Sequence, residues 1–274
     1  MKRIAEVLGV SRSNLADRRS DRTRPRGPYR KADDDDLLPL IRRFVDERPT
    51  YGYRPITALV NRELTRKGLP VANRKRVHRI MHQAALLLEP CTGRREGCVH
   101  DGKMMVMRSN LRWCSDGLEF ACLNGEIIRM AFIIDAFERE IIAWAAVRGA
   151  GNSGSDVRDM MLEAVERRFG SVRAPRPIEH LSDNGQPLNS QGDTRLRHRA
   201  ESRSLLHPVK SPESNGMSEA FVKTFKRDYL RICLLPDAPS ALRQIARWID
   251  DYNEIHPHSG LRMCSPREFI RAQT

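Results

Sequence analysis

The sequence predicts an α/β protein, with one mixed-sheet domain preceded by small helical units. Three observations predict it. Between residues 111 and 147, three runs rich in β-branched and aromatic residues follow one another with short links, the pattern of an antiparallel meander. A helical period at Ser155 to Phe169 and a short apolar run at Ile178 to Leu181 come next. Ahead of the meander, residues 32–86 carry helical periods alone, interrupted at Gly68-Leu69-Pro70.

Taken in order, residues 1–31 hold ten Lys/Arg against three Asp/Glu. Ile4, Val7, Leu8 and Val10, then Leu15, bracket Gly9 and Ser11 like half of a helix-turn-helix, and Arg22 to Pro28 reads as a basic linker. The run Asp33 to Asp36 is the acidic first turn of a helix, because consecutive carboxylates cannot converge on one ion from a helix. A fuller helix-turn-helix fits within residues 32–86. Ile56, Leu59, Val60 and Leu64 recur at helical spacing, and Asn73 caps a second helix that aligns Val77, Ile80, Met81 and Ala84. Its opposite face carries Arg74, Lys75, Arg76 and Arg79, an apolar back and basic front suited to a DNA groove and its phosphates. The plainer reading is a solvated helix in a small bundle. Residues 87–109 have no clear period and read as a linker.

The sheet domain is expected over residues 110–235. Its strands are Arg112 to Phe120, Ile127 to Ile134, Glu140 to Val147 and Ile178 to Leu181, the last halted at Asp183-Asn184-Gly185. A helix follows from about Gly216 to Leu230. Residues 236–274 supply a last amphipathic helix, about 239–252, and a docking tail. Three meander strands, a helix, a further strand and later helices describe an α/β domain of ribonuclease-H-like type.

Charge narrows the partner. With 48 basic against 35 acidic residues the net charge is +13, a self-repulsion that a polyanion relieves. No apolar run reaches the roughly 18 residues of a membrane-spanning helix, and the start lacks a secretory signal, so nucleic acid is expected rather than a membrane. The six cysteines form neither a CxxC pair nor a dense framework, which fits a reducing cytoplasm. His78 and His82 with Cys91 and Cys98 could suggest zinc, but the cysteine spacing is too wide for a knuckle.

Three carboxylates stand where element ends can bring them together. Asp116 lies within the first strand, Asp183 just past the fourth, and Glu219 in the helix after Asn215-Gly216, with 35 residues between the last two. Carboxylates within about 4 Å of one another repel each other by several kcal/mol and repel DNA phosphate too, so such a cluster in a basic chain makes sense around cations. Hard oxygen ligands select Mg²⁺ (or Mn²⁺), and two ions roughly 3.5–4 Å apart could activate a water or 3′-hydroxyl and stabilise the departing oxygen. On the Glu219 helix, Met217, Phe221 and Phe225 face inward at four-residue spacing, while Glu219, Lys223 and Lys226 share another face where DNA backbone could run. The plainer alternative is an ordinary Glu219–Lys223 surface pair. Asp135 rivals Asp116 but most simply ends a strand at a hairpin, Glu213 follows Pro212 in a turn or helix start, and His256-Pro257-His258 reads as a docking turn rather than a proton relay.

Ordered blocks carry a resemblance. Tyr51-Gly52-Tyr53-Arg54, Asn73-Arg74-Lys75-Arg76-Val77, Arg112-Trp113-Cys114-Ser115-Asp116-Gly117, Ser182-Asp183-Asn184-Gly185, Ser211 to Glu219, Tyr252-Asn253 and His256 to Leu261 span nearly the whole chain. Together they resemble the insertion-sequence transposases of the DDE, retroviral-integrase superfamily, in particular the downstream-frame product of insertion sequence family three, "two" subgroup. The resemblance implies an integrase-type catalytic core, metal-dependent nicking and strand transfer, and Asp116, Asp183 and Glu219 as the metal-holding set. It implies double-stranded DNA as partner (element terminal repeats and target), a homo-oligomer on DNA in the bacterial nucleoid, and fusion by frameshifting to an upstream helix-turn-helix protein. A catalytically damaged DNA-binding copy, or a nuclease of the same fold, are the alternatives. One stretch departs from the family pattern: residues 186–207 are basic and poor in apolar positions where the family has an amphipathic helix, as a compensating pair of frameshifts would leave them.

Overall fold

The computed structural model describes residues 2–7, 9, 11, 12, 16, 33–89, 106–149, 154–182, 203, 204 and 216–273. At the N-terminal end lies a helix, α1 (Lys2–Val7), whose Ile4 and Val7 are exposed, so these two do not form the apolar core expected of a first helix-turn-helix. Leu8, Val10 and Leu15 lie outside the described residues.

Three helices then make one unit: α2 (Asp34–Glu47), α3 (Tyr53–Arg66) and α4 (Arg74–Gln83). Leu37 and Ile41, then Ile56, Leu59, Val60 and Leu64, then Val77, Ile80 and Met81 close a common core at the helical spacing the sequence predicts. After α3 the chain turns at Gly68 with φ +69, a left-handed conformation that glycine adopts without a Cβ penalty, and Leu69 N–H donates back to the Leu64 carbonyl at 2.9 Å. Asn61 pins the returning loop: its Oδ1 accepts from Ala72 N–H at 2.7 Å and its Nδ2 donates to the Ala72 carbonyl at 3.1 Å. Asn73 caps α4, accepting from Lys75 N–H at 2.8 Å.

The sheet contains β1 (Arg112–Ala121), β2 (Ile127–Asp135), β3 (Ile141–Arg148), β4 (Glu179–Ser182) and β5 (Arg203–Ser204), in the order β3-β2-β1-β4-β5. The first three form the expected antiparallel meander; β4 and β5 run parallel to β1. β2 is central among the meander strands and buried on both faces, which is why its sequence reads as a nearly continuous apolar run. Its Ile128, Met130, Phe132 and Ile134 join Cys114 and Leu118 of β1 on one face. There they pack under α6 (Gly216–Asp228) and α7 (Ala238–Glu254) through Phe221, Phe225, Ala241, Ile245 and Ile249. Ala131, Ile133 and Trp113 point to the other face, beneath Met160, Ala164 and Val165 of α5 (Gly154–Phe169). The domain is thus a helix–sheet–helix sandwich with period-2 alternation in the strands assigning each side chain its layer.

Element ends differ modestly from expectation. α6 stops at Asp228, and a 3₁₀ turn at Leu230–Ile232 takes over where the helix was expected to continue. α7 begins at Ala238 because the Asp237 side chain accepts from Ser240 N–H at 2.8 Å. Of residues 186–207, only Arg203 and Ser204 are described, as the short strand β5, so the expected departure from the family pattern lies outside the described residues.

The tail after α7 docks the helical unit. Tyr51 and His256 meet with Oη and Nδ1 2.6 Å apart, and Arg48 donates to Asp251 at 2.7 Å. A 3₁₀ turn at Ser259–Leu261 leads to α8 (Pro266–Arg271), which starts in a capping box between Ser265 and Glu268.

Candidate active site

Asp116 sits mid-strand in β1, between Cys114 and Leu118 on the sheet face that α6 covers. The alternation fixes its side: a carboxylate two residues from each of these core side chains points the same way. It is half-buried, and its Oδ1 accepts from Gly117 N–H at 2.8 Å. Across the β1–β2 ladder Asp116 is in register with Phe132, and the Phe132 ring packs on Phe221 of α6 with centroids 4.4 Å apart. Glu219 lies two residues before Phe221 on the same helix. The aromatic contact therefore ties β2, the ladder partner of the strand bearing Asp116, to the helix bearing Glu219.

β4 runs parallel beside β1, with Cys114 in register with Leu181 and Ser115 with Ser182. Ser182 is its last residue, registered one position before Asp116. Asp183, the next residue in the chain, lies outside the described residues, as does Glu213. Among the described residues no group of three or more His, Cys, Asp or Glu side chains is arranged to hold a metal.

On α6, Phe221 and Phe225 are buried and Met217 packs partly against the same core, leaving Glu219 and Lys223 exposed and Lys226 half-buried. Lys223 Nζ donates to Glu219 at 3.2 Å. With both partners largely in solvent, such a pair contributes at most about 1 kcal/mol, so a cation or a phosphate can displace it at little cost.

Asp135, the rival first ligand, is fully buried. Its two oxygens accept from the backbone N–H groups of Asn110, Phe137 and Glu138 at 2.8, 2.7 and 3.0 Å. It closes the β2–β3 turn, as the sequence reading expects. His256 is also buried; desolvation first, then the Arg227, Arg48 and Arg62 guanidiniums, hold its pKa down to about 3. It is therefore neutral, and its 3.8 Å approach to Asp228 is no salt bridge. His258 is half-buried; desolvation first, then His256 and Arg139, hold its pKa down to about 2. His78 is exposed with its ring edge-on to Tyr53, centroids 4.7 Å apart. Cys91 and Cys98 lie outside the described residues.

The basic front of α4 divides. Arg74 and Lys75 are exposed, but Arg76 Nε and Arg79 Nη2 donate to the two oxygens of Asp34 at 2.7 and 2.5 Å. Asp34 is itself buried. In sequence Asp34 is one of four acids suited to the helix dipole; in the structure it clamps α4 onto the start of α2. No periodicity distinguishes it from Asp33, Asp35 or Asp36, because the distinction depends on which side of α2 meets α4.

A mixed sheet in this order, covered by helices on both faces, is the architecture of a ribonuclease-H-like, integrase-type domain, and here it carries carboxylates on β1 and α6. Residues 107–214 and 203–266 match two models of the integrase core domain, and residues 32–95 match the HTH-like domain. Over 98% of its length the chain is 43% identical to the transposase InsD for insertion element IS2A/D/F/H/I/K of Escherichia coli, spanning 90% of that protein. Over 71% of its length it is 68% identical to the whole of an uncharacterized protein of insertion element IS136 from Agrobacterium tumefaciens strain T37. A simian T-cell lymphotropic virus intasome structure aligns over 76% of this chain and 69% of that one, at 19% identity and TM-score 0.47. The chain belongs to the insertion-sequence transposases of the DDE, retroviral-integrase superfamily.

Proposed function

We propose that this transposase nicks the ends of its own insertion element and joins the freed 3′-hydroxyls to a target duplex, using Asp116, Asp183 and Glu219 to hold two magnesium or manganese ions. The observation that carries this reading is the Phe132–Phe221 contact, which links the ladder partner of the Asp116 strand to the helix of Glu219, while β4, ending at Ser182 just before Asp183 in the chain, pairs with β1. The donor set fits the cofactor: carboxylate oxygens suit a hard divalent cation, and the thiol two residues before Asp116 on β1, Cys114, is buried in the core. When bound, the ions would supply a nucleophile at neutral pH and neutralise charge on the departing 3′-oxygen.

The chain's own groups do the rest. Asp116, held by β1 with one oxygen on Gly117 N–H, offers a carboxylate whose direction the strand fixes. Glu219 exchanges its Lys223 partner for the cation, freeing the Lys223 ammonium for the phosphate backbone; Lys226 lies further along the helix for the same role. Arg74 and Lys75 at the start of α4 meet the element end, and Arg76 and Arg79 act mainly through Asp34 to hold that helix. Both element ends must be held at once, so the working species is an oligomer on DNA in the bacterial cytoplasm.

The test supplies labelled element ends and a target duplex with Mg²⁺. Joined product that disappears on chelation supports the reading; product that survives full chelation contradicts it.

A further inference from the structure

Between the helical unit and the tail after α7 lies an open cleft of about 740 Å³, rimmed by Arg54, Arg62 and Arg66 of α3, Arg74 at the start of α4, and Arg262 of the tail. It is far too large for a single ion. Glu268 is its one acidic lining residue, and it is taken up by Arg62 at 2.6 Å and by its own capping box. The remaining rim is cationic: Arg54, Arg66, Arg74 and Arg262 are all exposed, Arg66 with a surface pair to Glu63 at 2.7 Å that a phosphate can displace at little cost.

Arg262 is placed there with some care. It and Met263 both have left-handed backbones, φ +56 and +69, an uncommon conformation for residues with side chains. Backbone bonds hold them: Met263 N–H donates to the His258 carbonyl at 2.7 Å, and His258 N–H to the Cys264 carbonyl at 3.0 Å. From the helical unit, Arg62 donates to the Met263 carbonyl at 3.0 Å. Strain retained in a turn that the surroundings over-determine is common where a side chain is being aimed.

We propose that the tail completes the DNA-binding surface: Arg262, with Arg54, Arg66 and Arg74, forms a phosphate-binding cleft that grips the backbone flanking the site read by α4. Residues 54–74 and the tail thus build one site, with the tail as much a part of DNA recognition as the helical unit. This rests on the proposal that α4 meets DNA, and the experiment separates the two.

Affinity for a short labelled duplex of mixed sequence is measured against salt for the full chain and for Arg262→Asn, Arg262→Lys and Lys75→Ala, the last on α4 but outside the cleft. Asparagine tolerates the left-handed backbone, so Arg262→Asn removes charge without new strain. The expected result is an affinity loss of about fivefold for Arg262→Asn, with the log–log salt slope reduced by about 0.9, one phosphate contact. Arg262→Lys keeps the charge and restores most of the slope, which a merely structural role would not predict. If Lys75→Ala weakens binding and Arg262→Asn leaves affinity and slope unchanged, the cleft is overturned while the α4 reading stands. If neither substitution changes binding, both readings fall.

Discussion

Phe221 packs its ring on Phe132 with centroids 4.4 Å apart, so the strand partner of Asp116 supports the helix two residues beyond Glu219. Neither ring has chemistry of its own, yet the separation of two carboxylates depends on this contact. Phe221 also packs edge-on to Tyr252 of α7, so the same ring joins both helices covering that face.

Truncation should therefore affect stability and catalysis together. Phe221 is 1% exposed, and Phe221→Ala is expected to cost about 3–5 kcal/mol in denaturant unfolding. Under conditions where the variant remains folded, strand transfer should fall further than DNA affinity does. Equal falls in both would argue against a positioning role for the ring.

Asp34 makes a second prediction. Asp34→Ala leaves two half-buried guanidiniums without their carboxylate and should cost about 2 kcal/mol, somewhat less than for a fully buried pair because the arginines keep some solvent. Asp35→Ala, on an exposed residue of the same turn, should change the melting temperature little. Equal effects at both positions would reduce the Asp34 clamp to a helix-dipole effect.

Lys223→Glu is expected to weaken DNA binding on the order of tenfold at moderate salt, by reversing a charge beside the phosphate backbone. Thermal stability should move by only a few tenths of a kcal/mol, since the exposed pair with Glu219 contributes little. Undiminished affinity would remove α6 from the DNA-binding face.

Three desolvated histidines predict the response to acid. Burial holds His180 at about 4, His256 at about 3 and His258 at about 2. Their folded pKa values are depressed below the ordinary value near 6.5, so the unfolded chain binds protons that the native state refuses. Stability is present in full above about pH 6.5 and declines as pH falls from there towards each folded pKa. His180 is the cleanest probe, because burial alone shifts it and its Nε2 has no hydrogen-bond partner among the described residues. His180→Leu should flatten the stability–pH slope near pH 5 by about one proton, about 1.4 kcal/mol per pH unit. An unchanged slope would mean that His180 titrates normally in the fold.

Much of this architecture is legible in the sequence, for identifiable reasons. The strands of the meander, the Asn73 cap and the inward set on α6 depend on local periodicity and local hydrogen bonds, which a linear reading captures. Asp135 could be set aside because the residues around it spell a hairpin. Asp34 could not be singled out, nor could Arg262 be placed beside Arg74, because both depend on contacts between segments far apart in the chain. The end of α6 at Asp228 is likewise tertiary: the Asp228 carboxylate is buried, its oxygens bonded by Arg227, and Tyr229 turns to donate to Asp251 at 2.8 Å.

The central claim is that Asp116 is a metal-holding carboxylate of a working strand-transfer site. The most direct measurement is Mg²⁺-dependent joining of labelled element ends to a target duplex by the full chain and by Asp116→Asn, with end binding and melting followed in parallel. The asparagine is nearly isosteric and can still accept from Gly117 N–H, so folding and DNA affinity should persist while joined product is lost. Joined product from Asp116→Asn at the wild-type rate would contradict the claim.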